Sequence, residues 1–191
     1  MLYAYIIHLR VSIVDIYILS IANVEIVDCC IAVMYTRPPS LVSVGGDGWI
    51  RLWNIEKKIQ VGQVTRDGGY GVDLHCVSVV ESNVDKKAIP MIITGDANGV
   101  VTIYDTNKLS AAAMKTMTKT QEASPYTHTN RSRDGFIKDY IVEQISFQAH
   151  IKGVTGVHYA SANGGMVITS ASDGILALWT LDGIQVGIFG K

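Results

Sequence analysis

Apolar and polar residues alternate on either side of a Gly-Gly-Asp-Gly block in "LVSVGGDGWIRLWN", residues 41–54, the period-two pattern of half-buried strands. The pattern recurs in "IITGDANGVVTIYD" (92–105) and "VITSASDGILALWT" (167–180). Aligning Asp47-Gly48, Asn98-Gly99 and Asp173-Gly174 puts an aromatic six residues later in each window: Trp53, Tyr104 and Trp179. A hydroxyl residue stands four places before each pair: Ser43, Thr94 and Thr169. Three windows agreeing at registered positions make an internal repeat. Asp-Gly and Asn-Gly signal two-residue hairpin turns with positive φ, so each window predicts strand–turn–strand. The aromatic falls on the second strand and the hydroxyl on the first.

Another apolar run precedes each hairpin: "IVDCCIAVMY" (26–35), "DLHCVSVV" (73–80) and "GVTGVHYA" (153–160). A short run follows the first and third, "IQVGQV" (59–64) and "IQVGIF" (184–189), which share "IQVG". Each unit therefore predicts four short strands, and no helix is needed to complete it.

Four-stranded units with Asp-Gly, six residues and then Trp resemble the blades of WD-repeat β-propellers. The third unit matches best, with His150 standing 29 residues before Trp179. The resemblance implies a structural hydrogen-bond chain of His, Ser/Thr, Asp and Trp, falling on His150, Thr169, Asp173 and Trp179. Buried imidazole and indole need such partners. The first unit keeps Ser43, Asp47 and Trp53, with Asn23 near the histidine position. The second has Thr94, Asn98 and Tyr104, with Tyr70 near it, and is the weakest match. Ala149 replaces the glycine of the family's Gly-His pair, and Asn54 and Thr180 follow the tryptophans where the family has Asp. "RPPSLVSVGGDGWIRLW" and "LWTLDGIQVGIFGK" also resemble segments of large ciliary WD-repeat proteins.

The expected fold is all-β: a partial propeller of about three four-stranded blades plus part of a fourth, forming an open arc. Residues 1–22 would supply outer strands of an incomplete blade, 23–66 one blade, 70–149 a second and 150–191 a third. A blade takes ~40–45 residues and propellers have ~4–8 of them, so 191 residues fit an arc rather than a closed ring. Such an arc is expected to pair with the rest of a propeller or to oligomerise, because its faces and edges are otherwise uncovered. The second unit is lengthened by 81–90, between its first and second strands, and by 106–139, between its third and fourth. Both loops would leave the same face and offer a docking surface. The second is rich in Ser, Thr and Lys, with "LSAAAMKTM" suited to a short helix. The plainer reading is a floppy insertion.

Composition narrows the chemistry. Formal net charge is −1, which gives no basic footprint for nucleic acid or an anionic membrane. His8, Arg10 and Asp15 interrupt the apolar N-terminal run, so it does not read as a membrane span, and its apolar residues come too early for a signal peptide. A cytoplasmic location is the expectation, with cilium or axoneme implied by the finer resemblance. Cys29, Cys30 and Cys76 read as buried thiols of a reducing compartment. Asn130-Arg131-Ser132 fits the glycosylation pattern, which matters only on secretion. "VGGDGW" lacks the lysine and helix of a phosphate loop, and "GDANG" lacks the closing Glu of a calcium loop. His75 and His158 lie on apolar runs and read as satisfied structural histidines; His128 falls in the long loop. No zinc spacing or nucleophile elbow is present. No cofactor and no catalytic set is expected. The function expected is a non-enzymatic scaffold for protein partners. The alternatives are a propeller hydrolase, for which inner-strand Asp28, His75 and His158 form no coherent set, or a non-functional truncated fragment.

Overall fold

A computed structural model describes residues 26–32, 40–65, 72–80, 90–123, 137–161 and 164–190. Three antiparallel sheets of four strands each follow one another along the chain. The first, blade 1, comprises β1 (Ile26–Ala32), β2 (Ser40–Gly45), β3 (Trp49–Asn54) and β4 (Ile59–Thr65). Blade 2 comprises β5 (Leu74–Val80), β6 (Met91–Asp96), β7 (Val100–Asp105) and β8 (Val142–Gln148). Blade 3 comprises β9 (Val154–Ala160), β10 (Met166–Ala171), β11 (Leu176–Thr180) and β12 (Gln185–Phe189). The first strands lie side by side, β1 against β5 and β5 against β9, while the last strand of each sheet lies at its outer edge. This is the radial stacking of propeller blades. Residues 1–22, proposed as part of a further blade, lie outside the described residues, as do Asn23 and Tyr70.

Stacking explains why the middle strands are apolar on both sides. Along β7, Val101 and Ile103 face blade 3, while Tyr104 faces blade 1; all three are buried. Blade 1 contributes Val42, Val44, Ile50 and Leu52 to the core it shares with blade 2. Blade 3 contributes Val154, Val167, Ala177 and Trp179 to the second core. Burying a side chain such as Leu52 or Ile103 contributes about 1.5–3 kcal/mol against leaving it exposed. Gly95 leaves a notch that Val154 enters from the next blade; a Cβ on Gly95 would stand 2.6 Å from its Cγ1.

The repeat extends to irregularities that the hydrophobic pattern does not reveal. The first strand of every blade carries one unpaired residue at the same register: Val27, His75 and Thr155. The last strand carries another opposite the position just before the aromatic: Val61, Gln144 and Val186. Bulges of this kind bend and twist a strand.

The turns differ from the two-residue hairpins expected. Each is a three-residue loop, Gly46–Gly48, Ala97–Gly99 and Ser172–Gly174, closed by the glycine N–H donating to the carbonyl three residues earlier. Only the glycine has positive φ: 76° at Gly48, 85° at Gly99 and 78° at Gly174. Asp47, Asn98 and Asp173 do not, because Lys58 is the only non-glycine with positive φ among the described residues. A three-residue loop ending in left-handed glycine also matches the strand twist. The acid before it is thereby freed to use its side chain.

The second insertion is not floppy where it is described. It contains a helix, α1 (Ala111–Ala123), longer than the segment expected, packed against β4 of blade 1. Leu109, Met114 and Met117, with Ile137 and Ile141 from its return, are buried in the core between blades 1 and 2. Ser110 caps the helix, accepting from the Ala113 N–H at 3.2 Å. An excursion from blade 2 therefore clasps the outer strand of blade 1.

Candidate functional site

The register aligns the aromatics. Leu41 opposes Trp53, Ile92 opposes Tyr104 and Val167 opposes Trp179, so each ring lies diagonal to the hydroxyl two residues along. In blade 3 the Trp179 indole N–H donates to Thr169 Oγ1 at 2.9 Å. Thr169 Oγ1 lies 2.7 Å from His150 Nε2, and His150 Nδ1 lies 3.1 Å from Asp173 Oδ2. With the ring proton on Nδ1, donors run in one direction: indole to hydroxyl, hydroxyl to imidazole, imidazole to carboxylate. Thr169, His150 and Trp179 are buried. Phe147 of β8 packs on the indole with ring centroids 5.1 Å apart, tying blade 2 to the same cluster.

Desolvation pushes the Asp173 carboxyl up, yet the Ile175 amide, the adjoining His150 imidazole and the Ile151 amide outweigh it, holding the group below its ordinary value.

His150 also fastens blade 3 to blade 2. Its backbone N–H and that of Ala149 both donate to the Gly99 carbonyl at 3.0 Å. Gln148 Nε2 donates to the Asn98 carbonyl at 2.7 Å and to the His150 carbonyl at 2.6 Å. A Cβ on Gly99 would run into the His150 carbonyl.

Blade 1 brings together two of its three residues. The Trp53 indole N–H donates to Ser43 Oγ at 2.8 Å. Asp47 turns elsewhere, accepting from Arg51 Nη1 at 3.1 Å and pairing with Nη2 in a bidentate ion pair across the turn. Blade 2 places Thr94 and Tyr104 at the corresponding buried positions, but Asn98 is exposed at the turn. The carboxylate that organises this turn is Asp96, two residues earlier, whose Oδ1 accepts from the Asn98 and Val100 N–H groups at 2.9 Å. Aligning on Asn-Gly passed over Asp96; the signal was an Asp two places before it, able to fold back on its own turn.

One end of the molecule collects the insertions. Val80, Met91, Asp105 and Val142 stand abreast across blade 2. Both long connections therefore start and finish at this end. The Asn54 amide, at the same end of blade 1, donates to Thr118 Oγ1 of α1 at 3.0 Å, and Thr118 donates on to the Met114 carbonyl. The outward side of α1 shows Ala112, Lys115, Thr116, Lys119 and Thr120, all exposed.

The remaining candidates disperse. Cys76 is buried, its thiol 3.9 Å from the Gly95 and Val154 carbonyls, whereas the side chains of Cys29 and Cys30 lie outside the described residues. His158 is exposed rather than enclosed, and His75 is half-buried, which departs from the structural histidines expected on apolar runs. Asp28, His75 and His158 occupy three different levels on three strands. Among the described residues no group of three His, Cys, Asp or Glu is placed to hold a metal ion. None of the described helices is long and apolar enough to cross a membrane. His128 and Asn130 lie outside the described residues.

The family model for the WD domain, G-beta repeat matches residues 142–180. That span runs from β8 through β11, so the sequence repeat begins on the last strand of one blade and ends on the third strand of the next. No curated protein matches the sequence significantly. Among solved structures the chain is similar to U3-55K (TM-score 0.55, 14% identity) over 88% of its own length and 40% of that chain. It is similar to the RRP9 WD40 repeats (TM-score 0.55, 13% identity) over 88% of its length and 39% of that chain. The computationally designed Ika4 protein is also similar (TM-score 0.52, 15% identity), covering 88% of this chain and 75% of the other. At these identities the likeness is one of fold. The chain spans 40% and 39% of the first two chains it matches.

Proposed function

We propose that this chain, a run of WD-repeat blades in a partial β-propeller, is a non-enzymatic scaffold that binds protein partners through the end of blade 2 that bears both insertions. The observation that carries this reading is the alignment of Val80, Met91, Asp105 and Val142, which anchors both long connections on one end of a rigid sheet. Around them α1 presents an exposed Lys and Thr stripe on a backbone held fast by its buried side. Preformed surfaces of this kind bind without the cost of ordering a loop. The dispersal of Asp28, His75 and His158 over three levels supports a scaffold over a hydrolase. The finer reading, from the sequence resemblance, is that its partners are axonemal and that the protein works in the cytoplasm and cilium.

The test is affinity capture with the intact chain and with a variant carrying Lys115→Ala, Thr116→Ala and Lys119→Ala. These exposed positions leave the packed side of α1 untouched, so folding is preserved. The expected result is loss of defined partners with an unchanged melting curve. Equal capture by both proteins, or turnover of a generic hydrolase substrate by either, contradicts the reading. A tagged copy excluded from cilia would remove the axonemal refinement alone.

A further inference from the structure

The overall charge of −1 conceals a separation between the two ends of the molecule. Seven lysines fall among the described residues, and six of them stand at the insertion-bearing end, all exposed. Lys57 and Lys58 lie in the turn from β3 to β4, Lys108 just after β7, Lys115 and Lys119 on α1, and Lys138 just before β8. The seventh, Lys152, stands at the opposite end, where Asp47, Asp73, Asp96 and Asp173 border the hairpin turns and blade junctions. The sequence carries the same bias. Residues 55–58, 81–90 and 106–141 hold ten Lys or Arg against six Asp or Glu, and the rest of the chain six against eleven.

On α1 the bias is undiluted. Lys115 and Lys119 stand one turn apart on the outward side, the spacing at which like charges repel. No acid occurs three or four residues before either one, the placement that would offset the repulsion. Among the described residues Lys108, Lys115 and Lys119 form no ion pair. Met114, Met117 and Thr118 hold the other side of the helix against blade 1, so the lysine pair is kept facing outward.

We infer that the insertion-bearing end receives an acidic segment of a partner protein, whose carboxylates pair with Lys115 and Lys119 on α1 and with Lys108 ahead of it. Resting on the scaffold reading, this gives the partner of that surface its chemistry. The aspartates of the opposite end repel such a segment and so orient its approach. A protein segment is favoured over a nucleic acid or an anionic membrane because exposed Glu56 and Asp139 interrupt the lysines. An unbroken run of phosphates would meet them with repulsion, whereas a protein of mixed charge can pair with both signs. The one arginine among the described residues, Arg51, is buried and bound to Asp47, which leaves none of them for bidentate phosphate contact.

The probe is a fluorescent synthetic peptide with Glu at every fourth position among Ala and Gln, titrated into the full chain and followed by anisotropy. Saturable binding is expected at low salt, weakened about tenfold by Lys115→Glu with Lys119→Glu, and again by added salt. Lys115→Arg with Lys119→Arg keeps the charge and should keep the binding, and Lys152→Glu at the far end should leave it unchanged. These positions are exposed, and an unchanged melting curve confirms that each variant folds. Absence of binding at millimolar peptide overturns the inference. Equal weakening by Lys152→Glu also overturns it, because the attraction would then be one of net charge alone. Tighter binding of a single-stranded RNA of equal charge, or of phosphatidylserine vesicles, overturns it in favour of a phosphate-bearing partner. The scaffold reading is judged separately by capture: partners held by the intact chain and lost with the alanine variant sustain it even where no acidic peptide binds.

Discussion

Thr169 Oγ1 is the meeting point of the blade 3 chain, taking the Trp179 indole proton and facing His150 Nε2. Thr169→Val keeps the shape and strands both partners. Leaving a buried polar group unsatisfied costs about 1–3 kcal/mol, so urea denaturation should show a loss of that size, while Thr169→Ser should be nearly neutral. An equal loss in both variants would assign the effect to packing. Asp173 carries a pH signature. A carboxyl held below its ordinary value in the folded chain contributes stability above that value and loses it as pH falls through the folded one. Between about pH 5 and about pH 3 the denaturation midpoint should therefore fall more steeply for the native chain than for Asp173→Asn. Parallel slopes would contradict this. These residues were legible because hydroxyl, acid and aromatic recur at fixed spacings. Asp96 was not, since it stands two places off the aligned acid, and Arg51 was not, since a strand arginine gives no sign of the turn carboxylate it will meet.

At the scale of elements, the turns and the clasp carry the stability predictions. Gly99 needs positive φ and also close approach to the His150 carbonyl. Gly99→Ala should cost more than the ~1 kcal/mol of an ordinary strained glycine substitution, and hydrogen exchange should show the join between blades 2 and 3 opening first. Uniform destabilisation across all three sheets would argue against that role. Met114 is buried between α1 and blade 1, so Met114→Ala should cost about 2–5 kcal/mol by thermal or chemical unfolding. A change below ~0.5 kcal/mol would mean that the clasp is not formed in solution. Strand pairs could be read directly from period-two alternation and glycine-bearing turns. The turn class could not, because Asp-Gly fits both two- and three-residue loops. Nor could the docking of α1, since Leu109, Met114 and Met117 alone do not say which sheet they will cover.

For the whole molecule, the repeat made stacked sheets legible, because strands apolar on both faces require a neighbour on each side. The recurring bulges were hidden: an extra residue such as His75 or Gln144 looks like any other step along a strand. The central claim is that three separate antiparallel sheets stand side by side by their first strands. Nuclear Overhauser contacts measured on isotopically labelled protein test it most directly. The account predicts ladders within β1–β4, β5–β8 and β9–β12, with Val154 methyl contacts to Gly95, and no ladder joining β4 to β5 or β8 to β9. Cross-strand contacts linking β8 to β9 in one continuous sheet would contradict it.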